Sequence, residues 1–221
     1  MNSTLAAEKI SLYRTSSSSV EPSVLTDIYQ ENVNIAIWQN QLSKAVIENV
    51  KQVETSHKPL NVVMTAEPQN IVKHLSEYTL LLENKRALCE YVGLLVDMFC
   101  TLFELKRVGL RLTKLDRAMC PKFHVDKVPC RLVTTFTGVA TQWLPHDVVD
   151  FSKLGAGSNG LPDESSGVMS SPVDIQHLNA GDVALLKGTG WFDNEHGGLV
   201  HRSPSVQSGE TRLLLTLDFM D

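Results

Sequence analysis

Beyond Val108 the apolar residues of this chain recur at intervals of two, in short runs, and no stretch there sustains helical spacing. Val108, Leu110 and Leu112 alternate with small or polar neighbours, and further short strands are predicted over 131–137, 140–144, 173–177, 183–187 and 211–219. Side chains two apart on a strand share a face, so each run supplies one apolar face and must bury it against another sheet or layer. Gly138, Gly181, Gly188 and Gly209 punctuate the connections, as turn residues do. Several short strands without intervening helices specify an antiparallel sandwich or barrel.

The first half reads differently. Alternation at Val33, Ile35 and Ile37 predicts a strand over 32–38, and Leu42, Val46, Val50 and Val53 follow at helical spacing. A short strand over 60–64 precedes Pro68, which suits the first turn of a helix running towards Tyr78. The strongest helix is predicted over about 85–105, with Leu88, Val92, Leu95, Phe99 and Leu102 on one core-facing stripe. The expected organisation is therefore a flexible polar leader over residues 1–23, which holds the run Ser16 to Ser19, then a mainly helical part over 24–106. A β core over 107–221 completes an α+β fold. The Gly- and Ser-rich stretch 151–171 is expected to be an insertion loop of the lid or disordered kind.

With 20 Lys and Arg against 25 Asp and Glu, the chain lacks the overall basic charge of a nucleic-acid binder, and no such partner is expected. No apolar run has the ~18 residues of a membrane span, and the start of the sequence lacks a basic and then apolar secretion signal. A cytoplasmic protein is expected. Cys89, Cys100, Cys120 and Cys130 then read as thiols or metal ligands rather than disulfides. No Gly-x-Ser-x-Gly elbow or phosphate-binding glycine loop is present, which argues against hydrolase and P-loop chemistry.

The most informative stretch is Cys120-Pro121-Lys122-Phe123-His124-Val125-Asp126, between two predicted strands. In extended backbone, His124 and Asp126 point the same way and can offer an imidazole nitrogen and a carboxylate oxygen to one ion. His201, near the start of the last strand region, is the candidate third ligand. Two histidines and one carboxylate occupy one face of an octahedron and leave three positions open for substrate, water or oxygen. About ten residues further on, Arg212 opens an alternating strand, and its planar guanidinium is a natural bidentate partner for a carboxylate.

At these residues the sequence resembles the 2-oxoglutarate- and iron(II)-dependent dioxygenases, over roughly 108–219. The resemblance implies a double-stranded β-helix (jelly-roll, cupin-like) core with N-terminal helices, iron(II) on His124, Asp126 and His201, and 2-oxoglutarate as cosubstrate with its far carboxylate on Arg212. The substrate class stays open, small molecule or protein. Two residues after the arginine, where many such oxygenases carry Ser or Thr, the chain has Leu214. Either Thr134, Thr135 or another hydroxyl takes that place, or the cosubstrate is a different one. The whole chain also resembles a family of bacterial proteins classed as a domain of unknown function, which implies a place in metal homeostasis. The alternative function is accordingly a non-catalytic, cupin-like binder of zinc or iron.

Other residues carry competing readings. Arg212 can instead pair with Glu210 or Asp218, and Arg202 is turned away from His201 by alternation. Cys120, His124 and Cys130 form a conceivable zinc set, although the spacing matches none of the common zinc modules. Trp191, Asn194 and His196 are near His201 in sequence and can line a pocket mouth. His146 is read as a loop residue, and His57, His74 and His177 as surface or satisfied core residues.

Overall fold

The structure, a computed structural model, describes residues 13–220. In chain order it comprises β1 (Thr15–Ser19), a 3-10 helix (Pro22–Tyr29), β2 (Val33–Trp38), α1 (Lys44–Thr55), β3 (Asn61–Ala66), α2 (Ile71–Tyr78) and α3 (Arg86–Leu102). There follow β4 (Val108–Leu115), β5 (Cys130–Thr137), β6 (Gln142–Leu144), β7 (Gln176–His177), β8 (Val183–Lys187), β9 (Val200–Arg202) and β10 (Arg212–Phe219).

Seven strands form one sheet in the order β1-β2-β8-β5-β10-β4-β3, and β7-β6-β9 form a second. Every pairing is antiparallel except that of β1 with β2. Alternation divides the large sheet cleanly. Leu213, Leu215 and Leu217 of β10, with Leu132 and Phe136 of β5, bury their side chains against α1, α2 and α3 in one apolar cluster. Leu214, Val133, Ala184, Leu186, Ile35 and Ile37 point the other way and meet Trp143, Leu178 and Leu199 of the small-sheet layer. A third cluster, built on Phe123, Leu144, Val168, Met169 and Val200, covers the far side of the small sheet. The molecule is thus layered as helices, large sheet, small sheet and loop.

Local chemistry explains the helical elements. Ser43 caps α1 by accepting from the Val46 N–H. Lys114 of β4 satisfies its other end, donating from Nζ to the carbonyls of Val53, Glu54 and Ser56.

Three expectations are corrected. The leader does not extend to residue 23, because 15–19 form an edge strand; residues 1–12 lie outside the described residues. Alternate serines of β1 face outward, so its sequence offers no apolar period to read. Residues 24–106 supply the three helices but also β2 and β3 of the same sheet, so the fold does not divide at 106. Nor is 151–171 a free lid. Phe151 and Leu154 pack against the third cluster, and the buried Asp163 accepts from the Phe123 N–H at 2.8 Å and pairs with Arg202 at 2.9 Å. Among the described residues, no helix is long and apolar enough to cross a membrane.

Candidate metal centre

The segment between β4 and β5 is extended at the motif, and its alternation sorts the side chains. Phe123 and Val125 turn into the third cluster, while His124 and Asp126 turn towards the space between the sheets. His124 is locked to His201 by reciprocal backbone hydrogen bonds of 3.0 Å each, an isolated antiparallel bridge that joins the motif to β9. Ligand atoms of His124, Asp126 and His201 consequently lie within 4.8 Å of one another. His124 Nε2 is 3.7 Å from Asp126 Oδ1, and His201 Nε2 is 3.4 Å from Asp126 Oδ2. This is the one group of three or more such residues among the described residues that can hold a metal ion.

The surroundings orient each ligand. His124 Nδ1 contacts the Lys122 carbonyl at 2.9 Å, and His201 Nδ1 contacts the Leu199 carbonyl at 3.2 Å. A carbonyl only accepts, so each imidazole carries its proton on Nδ1 and presents the Nε2 lone pair to the centre. Burial and the neighbouring His201 lower the His124 pKa against the opposing pull of the Lys122 carbonyl and Asp126, favouring the neutral, ligating form. Burial alone would raise the Asp126 pKa. Its close contacts with His201, Arg131 and His124 outweigh that effect and hold the carboxyl at about 2. Arg131 Nη1 binds Asp126 Oδ2 at 2.7 Å and is itself held by Asp218 through contacts of 2.7 and 3.0 Å.

Arg212 is fully buried on the inner face of β10, beside His124 and His201 in one small cavity of about 60 Å³. Among the described residues no carboxylate pairs with it. Its Nη1 donates to Ser203 Oγ at 3.0 Å and its Nη2 to Thr135 Oγ1 at 3.1 Å, while Nε has no partner. Burial draws its pKa down to about 10. Asp218, one of its alternative partners, is taken by Arg131 instead. Of the hydroxyls that could stand in for one at Leu214, Thr135 bonds Arg212 directly, whereas Thr134 lies on the opposite, helix-facing side of β5.

The remaining candidates separate. Arg202 faces the outer layer, stacked over the Phe123 ring and bonded to Asp163, Glu164 and Gln142. Cys130 is buried on the helix side, remote from the exposed Cys120, so the alternative zinc set does not assemble. Trp191 packs on Tyr29 and Phe103 behind the large sheet rather than at the pocket mouth. Asn194 is buried and bonded to Arg14 and Gly188, and His196 is exposed. His146 lies against a second cavity with the exposed His177, while His57 and His74 are exposed elsewhere. Reading the sequence did not find Arg131. The available signal was its strand phase, shared with Val133 and Thr135, which points it inward five residues after Asp126.

Solved structures with similar architecture include the dioxygenase for auxin oxidation 1 of Arabidopsis thaliana in complex with 2-oxoglutarate, at 12% identity and TM-score 0.45, covering 94% of this chain and 92% of that one. The dioxygenase for auxin oxidation of rice aligns at 10% identity and TM-score 0.45, over 85% and 73% of the two chains. A prolyl-4-hydroxylase of Pseudomonas putida aligns at 12% identity and TM-score 0.40, over 89% and 96%. No curated protein matches the sequence. At the level of sequence families the match is to residues 19–218, nearly the whole chain, and the protein belongs to the family described as Protein of unknown function (DUF1826).

Proposed function

We propose that this protein is an iron(II)- and 2-oxoglutarate-dependent oxygenase of the hydroxylase type, built on a double-stranded β-helix of the jelly-roll kind. The observation that carries the reading is Arg212. A guanidinium buried completely, with an unpartnered Nε and no ion pair among the described residues, is costly in an apoprotein and has a purpose when a carboxylate binds there. It lies beside three residues whose donor set, two neutral imidazoles and one carboxylate, suits iron(II) and leaves coordination positions free.

In this reading His124, Asp126 and His201 hold the metal, and Arg212 holds the distal carboxylate of 2-oxoglutarate, with Thr135 and Ser203 fixing the guanidinium plane. Bound iron would supply the activation of dioxygen that protein side chains cannot perform. The protein's own part is orientation. Backbone carbonyls set the imidazole tautomers, Arg131 fixes the carboxylate, and the apolar wall of Val133, Leu186 and Leu214 excludes water around Arg212.

The narrowness of the cavity, about 60 Å³, favours a second reading, a non-catalytic metal binder of the cupin-like kind. Succinate formation decides between them. Purified protein given iron(II), 2-oxoglutarate and oxygen is expected to form succinate slowly even without substrate, above a His124→Ala control and a zinc-loaded sample. No succinate above either control, together with no binding of 2-oxoglutarate to the iron form, would establish the metal-binder reading instead.

A further inference from the structure

One buried carboxylate behind the metal centre touches both segments that carry its histidines. Asp163 is 6% exposed and opens a short helix (Asp163–Ser166) within the Gly- and Ser-rich insertion 151–171. Its Oδ2 accepts from the Phe123 N–H at 2.8 Å and from Arg202 Nη1 at 2.9 Å. Phe123 precedes His124 and Arg202 follows His201, so a single oxygen joins the neighbours of the two imidazole ligands.

The two segments run side by side. His124 and His201 exchange backbone hydrogen bonds of 3.0 Å, and the Ser203 N–H donates to the Cys120 carbonyl at 2.8 Å. Successive side chains on extended backbone alternate between faces. His124 and His201 face the inter-sheet space, while Phe123 and Arg202 face the insertion, with the guanidinium 4.4 Å from the Phe123 ring centroid. The insertion grips this rear face at further points. Glu164 pairs with Arg202 at 3.0 Å, and Lys122 Nζ donates to the Leu161 carbonyl at 3.1 Å. Both contacts lead to the centre: the Lys122 carbonyl is the one that contacts His124 Nδ1, and Ser203, next to Arg202, holds Arg212.

We propose that Asp163 is a positioning residue of the metal centre. Its bonds to Phe123 and Arg202 set the separation of His124 and His201, so that docking of the insertion and formation of the centre are coupled. Such coupling is reciprocal, and metal on the ligands must tighten the insertion in turn. The proposal rests on the reading of His124, Asp126 and His201 as metal ligands.

The test titrates the full-length protein with iron(II) by anaerobic calorimetry and with cobalt(II) by visible absorption, whose bands report ligand number and geometry. Asp163→Ala is expected to bind both metals on the order of tenfold more weakly, the lower end for outer partners of metal ligands, and to alter the cobalt spectrum. Asp163→Asn keeps a carbonyl oxygen for the same two donors and is expected to restore most of the affinity and the natural spectrum. Leu75→Ala, in the helical layer, destabilises the fold away from the insertion and is expected to leave metal affinity unchanged. In the unaltered protein, cobalt(II) is expected to slow amide exchange in 151–171 severalfold, beyond any slowing in α3. That measurement needs no variant to fold, and its failure would overturn the proposal. So would unchanged affinity and spectrum in Asp163→Ala, or an equal loss of affinity in Leu75→Ala. Binding that needs His124 but ignores Asp163 would remove this proposal alone. No metal binding, or binding indifferent to His124→Ala, would remove the metal reading with it.

Discussion

Asp126 and Arg212 face the same inter-sheet space, and their chemistry separates in a way that substitution can read. Asp126 is the only anionic member of the triad, and at about 2 its pKa leaves it ionised throughout any working range. Asp126→Ala is therefore expected to lower metal affinity by about a hundredfold or more, since even outer partners of metal ligands are worth 10- to 100-fold. Arg212→Gln is expected to leave metal binding intact and weaken 2-oxoglutarate by on the order of 1.5–3 kcal/mol, the range for a hydrogen bond to a charged group. Equal loss of metal in both variants by calorimetry would make Arg212 a structural residue. Acidification acts on His124. Because burial and His201 hold the His124 pKa below 6.5, His124 takes up its proton only at lower pH than a free imidazole. Protonation removes the lone pair, so metal affinity should fall as pH drops below that range, and metal titrations at several pH values between neutral and mildly acidic would detect it. The triad and Arg212 were readable from spacing because strand alternation is local. The bond between Arg14 and Asn194 was not, because it joins residues 180 positions apart.

At the scale of elements, the end of β8 clamps the metal-ligand segment. Gly188 N–H donates to the Pro129 carbonyl and Thr189 N–H to the Asp126 carbonyl, both at 2.9 Å. A Cβ at position 188 would stand 2.0 Å from the Val128 carbonyl oxygen and 2.7 Å from that of Asp126, so something must shift. Gly188→Ala is expected to cost about 1–3 kcal/mol of stability by overpacking and to weaken metal binding by displacing Asp126. Gly160 is the matched control. Its φ of +78° makes alanine unfavourable, but nothing stands within 4 Å of a Cβ there, so Gly160→Ala should leave metal affinity unchanged. Urea denaturation and a metal titration on both variants measure the contrast, and equal metal affinity in the two would refute the clamp. Both glycines are turn material in the sequence, which distinguishes neither role. Close approach to a distant backbone leaves no local signal, whereas the 3.6-residue period of α3 and the two-residue period of β10 do, and both elements formed where their patterns place them. β1 gave no such pattern, since a serine edge strand takes its order from pairing with β2.

For the whole molecule, the layering that creates three apolar interiors also buries a charge behind the large sheet. Lys187 ends β8 on the helix-facing side and is 2% exposed, with Nζ donating to the Gln30 carbonyl at 3.0 Å and standing 4.8 Å from the Trp191 ring centroid. Neither partner carries a negative charge. Burial, and then the charge of Arg14, lower its pKa from 10.5 to about 8, against a weaker opposing influence of Cys130 and Glu31. In the unfolded chain the lysine regains its ordinary value, so between about pH 8 and 10.5 the unfolded state binds the extra proton and folding stability rises with pH. Below about pH 8 both states are protonated and the penalty for a buried ammonium is present in full. Its ceiling is on the order of 3 kcal/mol, from the size of the shift. Lys187→Met keeps the apolar stem and removes the titrating group. The stability of the natural protein minus that of the variant should therefore increase from pH 7 to pH 10, because every other titrating group cancels in the difference. Urea denaturation of the pair across that range measures it, and a flat difference would mean that Lys187 is as easily charged in the fold as in water.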